Sequence, residues 1–160
     1  MPLAGRTLGV QRRLSRLYNL SSSDGSQYRK VFDVMRDDLQ GGGFLDNNYF
    51  LVLATFGMVN AYPPIPDFVR SLQEAGAGAQ LERWIADAAG GAGTSHITDA
   101  VNYVLVGIMK SGPSAGIELL SLERIPPYPG WKPHTSALDV YFYGLGTGQP
   151  YVLGAFETKP

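Results

Sequence analysis

Three glycines that close apolar stripes, Gly41, Gly76 and Gly112, stand 35 and 36 residues apart, and Phe32, Phe68 and Val104 are each 36 apart. A recurrence at roughly 20–50 residues marks stacked supersecondary units, each burying its apolar face only against a neighbour. The spacing inside each cycle is helical: apolar residues return every third or fourth position. Val10, Leu14, Leu17 and Tyr18 form one face of a first helix, and Tyr28, Val31, Phe32, Met35 and Leu39 a stripe on the second. The triplet Gly41–Gly43 ends that second helix.

Asp46 caps an expected third helix with Tyr49, Val52, Leu53, Phe56 and Val59 inward; Pro63, Pro64 and Pro66 break it. Pro66 also suits the first turn of a fourth helix carrying Phe68, Val69 and Leu72. A fifth aligns Leu81, Trp84, Ile85 and Ala88 and stops near Gly90 and Gly91. Thr94 or Ser95 caps a sixth, with Ile97, Val101, Val104, Leu105 and Ile108 on one side and Gly112-Pro113 at its end. The expected fold is therefore mainly α: three stacked antiparallel helix pairs, solenoid-like, across residues 1–112. A plain helical bundle is the alternative. Phe32, Met35, Leu53, Phe56, Leu72, Trp84, Val104 and Ile108 are the expected core.

Residues 113–160 change character. Ile117, Leu119, Leu120 and Leu122 lead into Pro126, Pro127, Pro129 and Pro133, an extended, polyproline-like segment. Beyond it, Ala137–Tyr143 and Tyr151–Phe156 are rich in β-branched and aromatic residues around the cluster Gly144–Gly148 and predict a β-hairpin. A two-stranded hairpin is marginal alone, so this part is expected to pack on the helical region or on a partner.

Net charge is −1, which gives the whole molecule no long-range pull on nucleic acid or acidic lipid. The charge is uneven. Residues 1–30 hold Arg6, Arg12, Arg13, Arg16, Arg29 and Lys30 against Asp24 alone, +5, leaving −6 for the remainder. Residues 1–23 contain four arginines, four serines and no acid, the composition of a mitochondrial transit segment; an ordinary first helix with a basic face is the alternative. The absence of cysteine excludes disulfides, thiolate metal sites and cysteine nucleophiles. The longest apolar run, Tyr49–Val59, is about half the roughly 20 residues a bilayer needs, so no membrane span is expected.

Phe32-Asp33-Val34-Met35-Arg36-Asp37 followed by glycines resembles the second helix of a pentatricopeptide repeat, and Leu45-Asp46-Asn47-Asn48-Tyr49-Phe50 resembles that family's entry into the next first helix. The resemblance implies a helical-repeat protein, mostly organellar in that family, commonly binding single-stranded RNA one base per repeat. Aligning Asn48-Tyr49 with the family's Thr-Tyr places Leu51 at the base-reading position, where leucine cannot make the required hydrogen bonds. A repeat subunit that holds a protein, similar to the repeat-type accessory subunit of protist mitochondrial ATP synthase, fits size and composition better.

Candidate chemistry is sparse. Gly144-Leu145-Gly146-Thr147-Gly148 follows a strand-like run but precedes Pro150 and a second strand, not the helix a phosphate loop requires. His96 and His134 would need carboxylates such as Asp99 or Asp139 to hold a metal. Asp33 and Asp37 share a helix face with Asp38 nearby, a solvated surface unless buried. Ser21–Ser23 have no local base. No catalytic residue, cofactor, metal or small-molecule substrate is therefore expected. Tyr128 and Trp131, aromatic side chains on a stiff proline-rich backbone, are the expected partner contacts, together with the basic Arg12, Arg13 and Arg16. The leading functional expectation is a non-catalytic accessory or scaffold subunit of a larger, mitochondrial protein assembly (ATP synthase or another respiratory complex), or otherwise of an intracellular soluble one. The alternatives are an RNA-binding helical-repeat protein, with at most weak, salt-sensitive RNA contact, and a phage or viral structural protein.

Overall fold

A computed structural model describes residues 16–18, 25–42, 49–55, 58–59, 63–90, 99–124, 137–143 and 152–158. The element order is α1 (Gly25–Gly41), β1 (Phe50–Ala54), β2 (Met58–Val59), α2 (Pro66–Glu74), α3 (Ala79–Gly90), β3 (Asp99–Ile108), β4 (Ile117–Arg124), β5 (Ala137–Tyr143) and β6 (Val152–Thr158). This mixture of helices and antiparallel strands overturns the expected solenoid of three helix pairs. Among the described residues there are three helices, not six.

Two expected helices are strands. The span expected as the third helix holds β1 and β2, and the span expected as the sixth holds β3. The physical reason is the same in both. A strand apolar on both faces is also apolar at every third and fourth position, so helical spacing is satisfied trivially. In β3, Val101, Tyr103, Val104, Val106 and Ile108 are β-branched or aromatic, types that pack well on a pleated surface. Gly112-Pro113, read as a helix stop, lies in the connection between β3 and β4. Residues 16–18, assigned to a first helix, are not helical, and Leu17, placed on its apolar face, is 98% exposed.

β3 is the central strand. β1 pairs with it antiparallel from Phe50 opposite Ile108 to Ala54 opposite Val104, and β2 continues from Met58 opposite Val101. β4 pairs antiparallel from Asp99 opposite Arg124 to Val106 opposite Ile117. Because β4 overlaps both β1 and β2 along β3, it occupies one edge of β3 and they share the other. β1 and β2 thus lie along the same edge of β3. Thr55 bonds to β3 there. Its N–H donates to the Tyr103 carbonyl at 2.8 Å, its hydroxyl oxygen accepts the Tyr103 N–H at 2.8 Å, and its hydroxyl donates to the Val101 carbonyl at 3.2 Å.

The helices bury their stripes on one face of this sheet. Tyr28, Phe32 and Met35 of α1, Phe68 and Leu72 of α2, and Leu81, Trp84 and Ala88 of α3 form one cluster with Val101, Tyr103 and Leu105 of β3. Phe32 stacks on Phe68 with ring centroids 5.4 Å apart, and Trp84 meets Tyr103 at 5.4 Å. Of the expected core, Phe32, Met35, Leu72, Trp84 and Ile108 are buried, Leu53 and Val104 half-buried, and Phe56 lies outside the described residues. β5 and β6 pair antiparallel as a separate two-stranded sheet, Ala137 opposite Thr158 through Tyr143 opposite Val152. No helix of the described residues is long and apolar enough to cross a membrane.

Candidate functional site

The expected partner contacts Arg12, Arg13, Tyr128 and Trp131 lie outside the described residues, as do His96, His134 and Gly144–Gly148. Arg16 is described. Its guanidinium, half exposed, stands 3.4 Å from the Asp38 carboxylate, which also accepts the Tyr18 hydroxyl at 2.6 Å. Burial, and then the bond to Asp38, push the Tyr18 hydroxyl up to about 12. The acidic face of α1 is occupied by cations. Arg36 reaches Asp33 at 2.7 Å and Asp37 at 2.8 Å, and extends toward Asp67 of α2 at 3.9 Å. Among the described residues no three metal-ligating side chains converge.

The most constrained polar arrangement joins α2, α3 and the β3–β4 connection. Ile65 and Pro66 start α2, and its C-terminus closes with Gly76 at φ +109°. The Ala77 N–H donates to the Leu72 carbonyl at 2.9 Å and the Gly76 N–H to Gln73 at 3.0 Å, the paired bonds of a Schellman ending. α3 then begins at once, with Gly78 accepting its first bond from Glu82 and offering no side chain to cap it.

The cap comes from β4. The Glu118 carboxylate accepts the N–H groups of Gln80 at 3.2 Å and Leu81 at 3.1 Å, and the Tyr103 hydroxyl at 2.6 Å. An acid at a helix N-terminus satisfies orphan donors and complements the helix dipole. Burial, followed by the bond to Glu118, raises the Tyr103 hydroxyl well above its ordinary value. Backbone bonds close the same junction: Ser114 N–H to Ala77 at 2.9 Å and Gly116 N–H to Gly76 at 2.8 Å. All three donors to Glu118 belong to the fold, so this carboxylate is a tie between strand and helix.

Beside the junction is an open cleft of about 370 Å³ lined by Arg70, Gln73, Glu74, Lys110, Gly112 and Pro113. Lys110 pairs with Glu74 in its lining.

The opposite face of the sheet is different in kind. Paired residues share a face, and residues alternate between faces along a strand. With Leu51, Leu53, Val101, Tyr103, Leu105, Leu120 and Leu122 turned to the core, the outer face carries Phe50, Val52, Val104, Val106, Ile108, Ile117 and Leu119. Antiparallel sheets with one solvated face normally alternate apolar with polar. Here the polar members set by the register are Asn102 opposite Ser121, and Glu123 opposite Ala100. Val106 and Ile108 are buried, Phe50, Val104, Ile117 and Leu119 half-buried, and Val52 is 66% exposed. Helical spacing had placed Val52 and Val104 in the core and hidden this second face. The signal that could have revealed it is the run Asn47–Pro66, which has no charged residue. No protein-family model, curated protein or solved structure matches the chain.

Proposed function

We propose that this chain is a non-catalytic accessory or scaffold subunit that docks the outer face of its four-stranded sheet on a larger protein assembly. The observation that carries the reading is the apolar character of that face, with Val52 two-thirds exposed among half-buried Phe50, Val104, Ile117 and Leu119. An apolar side chain held open to solvent beside further apolar residues suits a contact site, because covering apolar surface gains about 25 cal/mol per Å². The arginine- and serine-rich first 23 residues support an organellar, mitochondrial setting for that assembly.

The test is isolation of the tagged full chain from its native cells under mild conditions, beside Val52→Lys and Ile117→Lys. These substitutions place a charge at opposite sides of the face. The expected result is a stoichiometric protein partner with the unsubstituted chain and its loss with both variants, at melting temperatures that show a retained fold. Retention of the partner by both folded variants would remove the outer face from the interface.

A further inference from the structure

We propose that β4 pairs antiparallel with β4 of a second copy of this chain, Ser121 facing Ser121 across a two-fold axis. The bonds of the sheet decide which backbone groups are open. The Met109 N–H donates to the Tyr49 carbonyl and the Thr55 N–H to the Tyr103 carbonyl, so the odd-numbered residues of β3 bond toward β1. Its even-numbered residues bond toward β4, to Ile117, Leu119 and Ser121. The backbone groups of Glu118, Leu120, Leu122 and Arg124 therefore point away from β3. The Gly116 N–H follows the same parity and is already taken, by the Gly76 carbonyl at 2.8 Å. Among the described residues β4 pairs with β3 alone, and no bond reaches the outward backbone groups of Glu118, Leu120 and Leu122. Pro126 has no N–H to donate, so this edge is bounded by Gly116 and Pro126.

The charges along this edge select the occupant. Glu118 and Arg124 stand toward its two ends, and antiparallel pairing of β4 with itself brings opposite ends together. Backbone parity requires outward residues to meet outward residues. An axis at Ser121 sets Glu118 of each copy opposite Arg124 of the other, Leu120 opposite Leu122, and Glu123 opposite Leu119. An axis at Leu120 would set Arg124 against the occupied Gly116, and one at Leu122 would set Glu118 against Pro126. An axis at Glu123 would oppose like charges. Glu118 has room for the added donor. Its Oε1 accepts the Leu81 N–H and the Tyr103 hydroxyl, while its Oε2 accepts the Gln80 N–H. A carboxylate offers about four acceptor sites, so Oε2 keeps a lone pair for a guanidinium in a charge-assisted bond. A strand of another sequence would have to supply a guanidinium at that one position; β4 does so by symmetry. The isologous contact closes at two copies. It joins the two sheets by their backbone edges and does not rest on what covers the outer face.

The chain has no cysteine, so one introduced thiol reports register cleanly. In the full chain, Ser121→Cys places two thiols directly opposite, with Cβ atoms about 4.5 Å apart and within disulfide reach. Leu119→Cys, on the same face of the strand, places its pair about 13 Å apart at roughly 3.3 Å per residue. Under mild oxidation Ser121→Cys is expected to form a disulfide-linked dimer at least about tenfold faster than Leu119→Cys. Light scattering should find a concentration-dependent dimer for the unsubstituted chain. Arg124→Glu sets two carboxylates together and should weaken that dimer at least about tenfold, while Arg124→Lys retains it, with circular dichroism reporting the fold of each. Val52→Lys should stay dimeric, which separates this inference from the docking of the outer face. A chain monomeric at every concentration, or equal cross-linking at positions 121 and 119, overturns the pairing.

Discussion

The carbonyl oxygen of Ala75 occupies the space that a side chain at residue 107 would need: a Cβ built on Gly107 would lie 1.7 Å from it. Gly107 is on the core face of β3, opposite Leu51, and the residue that follows α2 rests directly on the sheet there. The close approach lets the Schellman ending of α2, the start of α3 and the β3–β4 connection meet at one place. Gly107→Ala is therefore expected to force the α2 terminus off the sheet. We expect a loss of about 2–4 kcal/mol, as for overpacking at a rigid site, measured by urea denaturation. A loss below about 0.5 kcal/mol would show that the contact yields freely.

Glu118 caps α3 from a strand 37 and 38 residues away from the amides it accepts. Glu118→Ala leaves two helix amides and the Tyr103 hydroxyl without their acceptor. It is expected to cost about 2–3 kcal/mol, combining the loss of a cap with stranded donors. Glu118→Gln keeps an acceptor oxygen and should recover about half of that. Amide hydrogen exchange at Gln80 and Leu81 should rise in the alanine variant before the rest of α3 responds.

Tyr103 and Tyr18 both have hydroxyls raised above the ordinary 10.0, Tyr18 to about 12. A group whose folded value lies above its unfolded value contributes fully below the unfolded value and loses that contribution as pH rises toward the folded one. Stability should thus be level with respect to these groups below pH about 10 and fall above it. Tyr103, being buried, gives a slope of up to about 1.4 kcal/mol per pH unit. Tyr103→Phe should cost about 1–2 kcal/mol near neutrality through its lost hydrogen bond, yet flatten the alkaline fall. Melting curves from pH 8 to pH 11 measure both; an unchanged slope in the phenylalanine variant would contradict the assignment.

Thr55 ties the end of β1 to β3 by accepting the Tyr103 N–H and donating to the Val101 carbonyl. Thr55→Val keeps the shape and strands that N–H, for an expected loss of about 1–3 kcal/mol. Thr55→Ser keeps the hydroxyl and should lose less than half as much, measured by chemical denaturation.

α1, α2 and α3 were legible in the sequence because their signals are local. Tyr28, Phe32 and Met35 face inward at helical spacing while charged residues occupy other positions, Pro66 opens α2, and Gly76 takes the left-handed conformation that ends it. The β5–β6 pairing likewise follows β-branched and aromatic runs on either side of a glycine cluster. β1 and β3 carry no such contrast. Their residues are apolar on both faces, so a period of two and a period near four fit equally, and only their mutual pairing separates strand from helix. Neither the cap at Glu118 nor the close approach at Gly107 has a local sequence signal, because each depends on an element brought in from far along the chain. Composition and local periodicity determined the helices, their stops and much of the buried set. The sheet and its apolar outer face were decided by tertiary structure, since hydrogen bonds between distant segments choose the backbone conformation when side-chain pattern alone leaves two solutions of similar free energy.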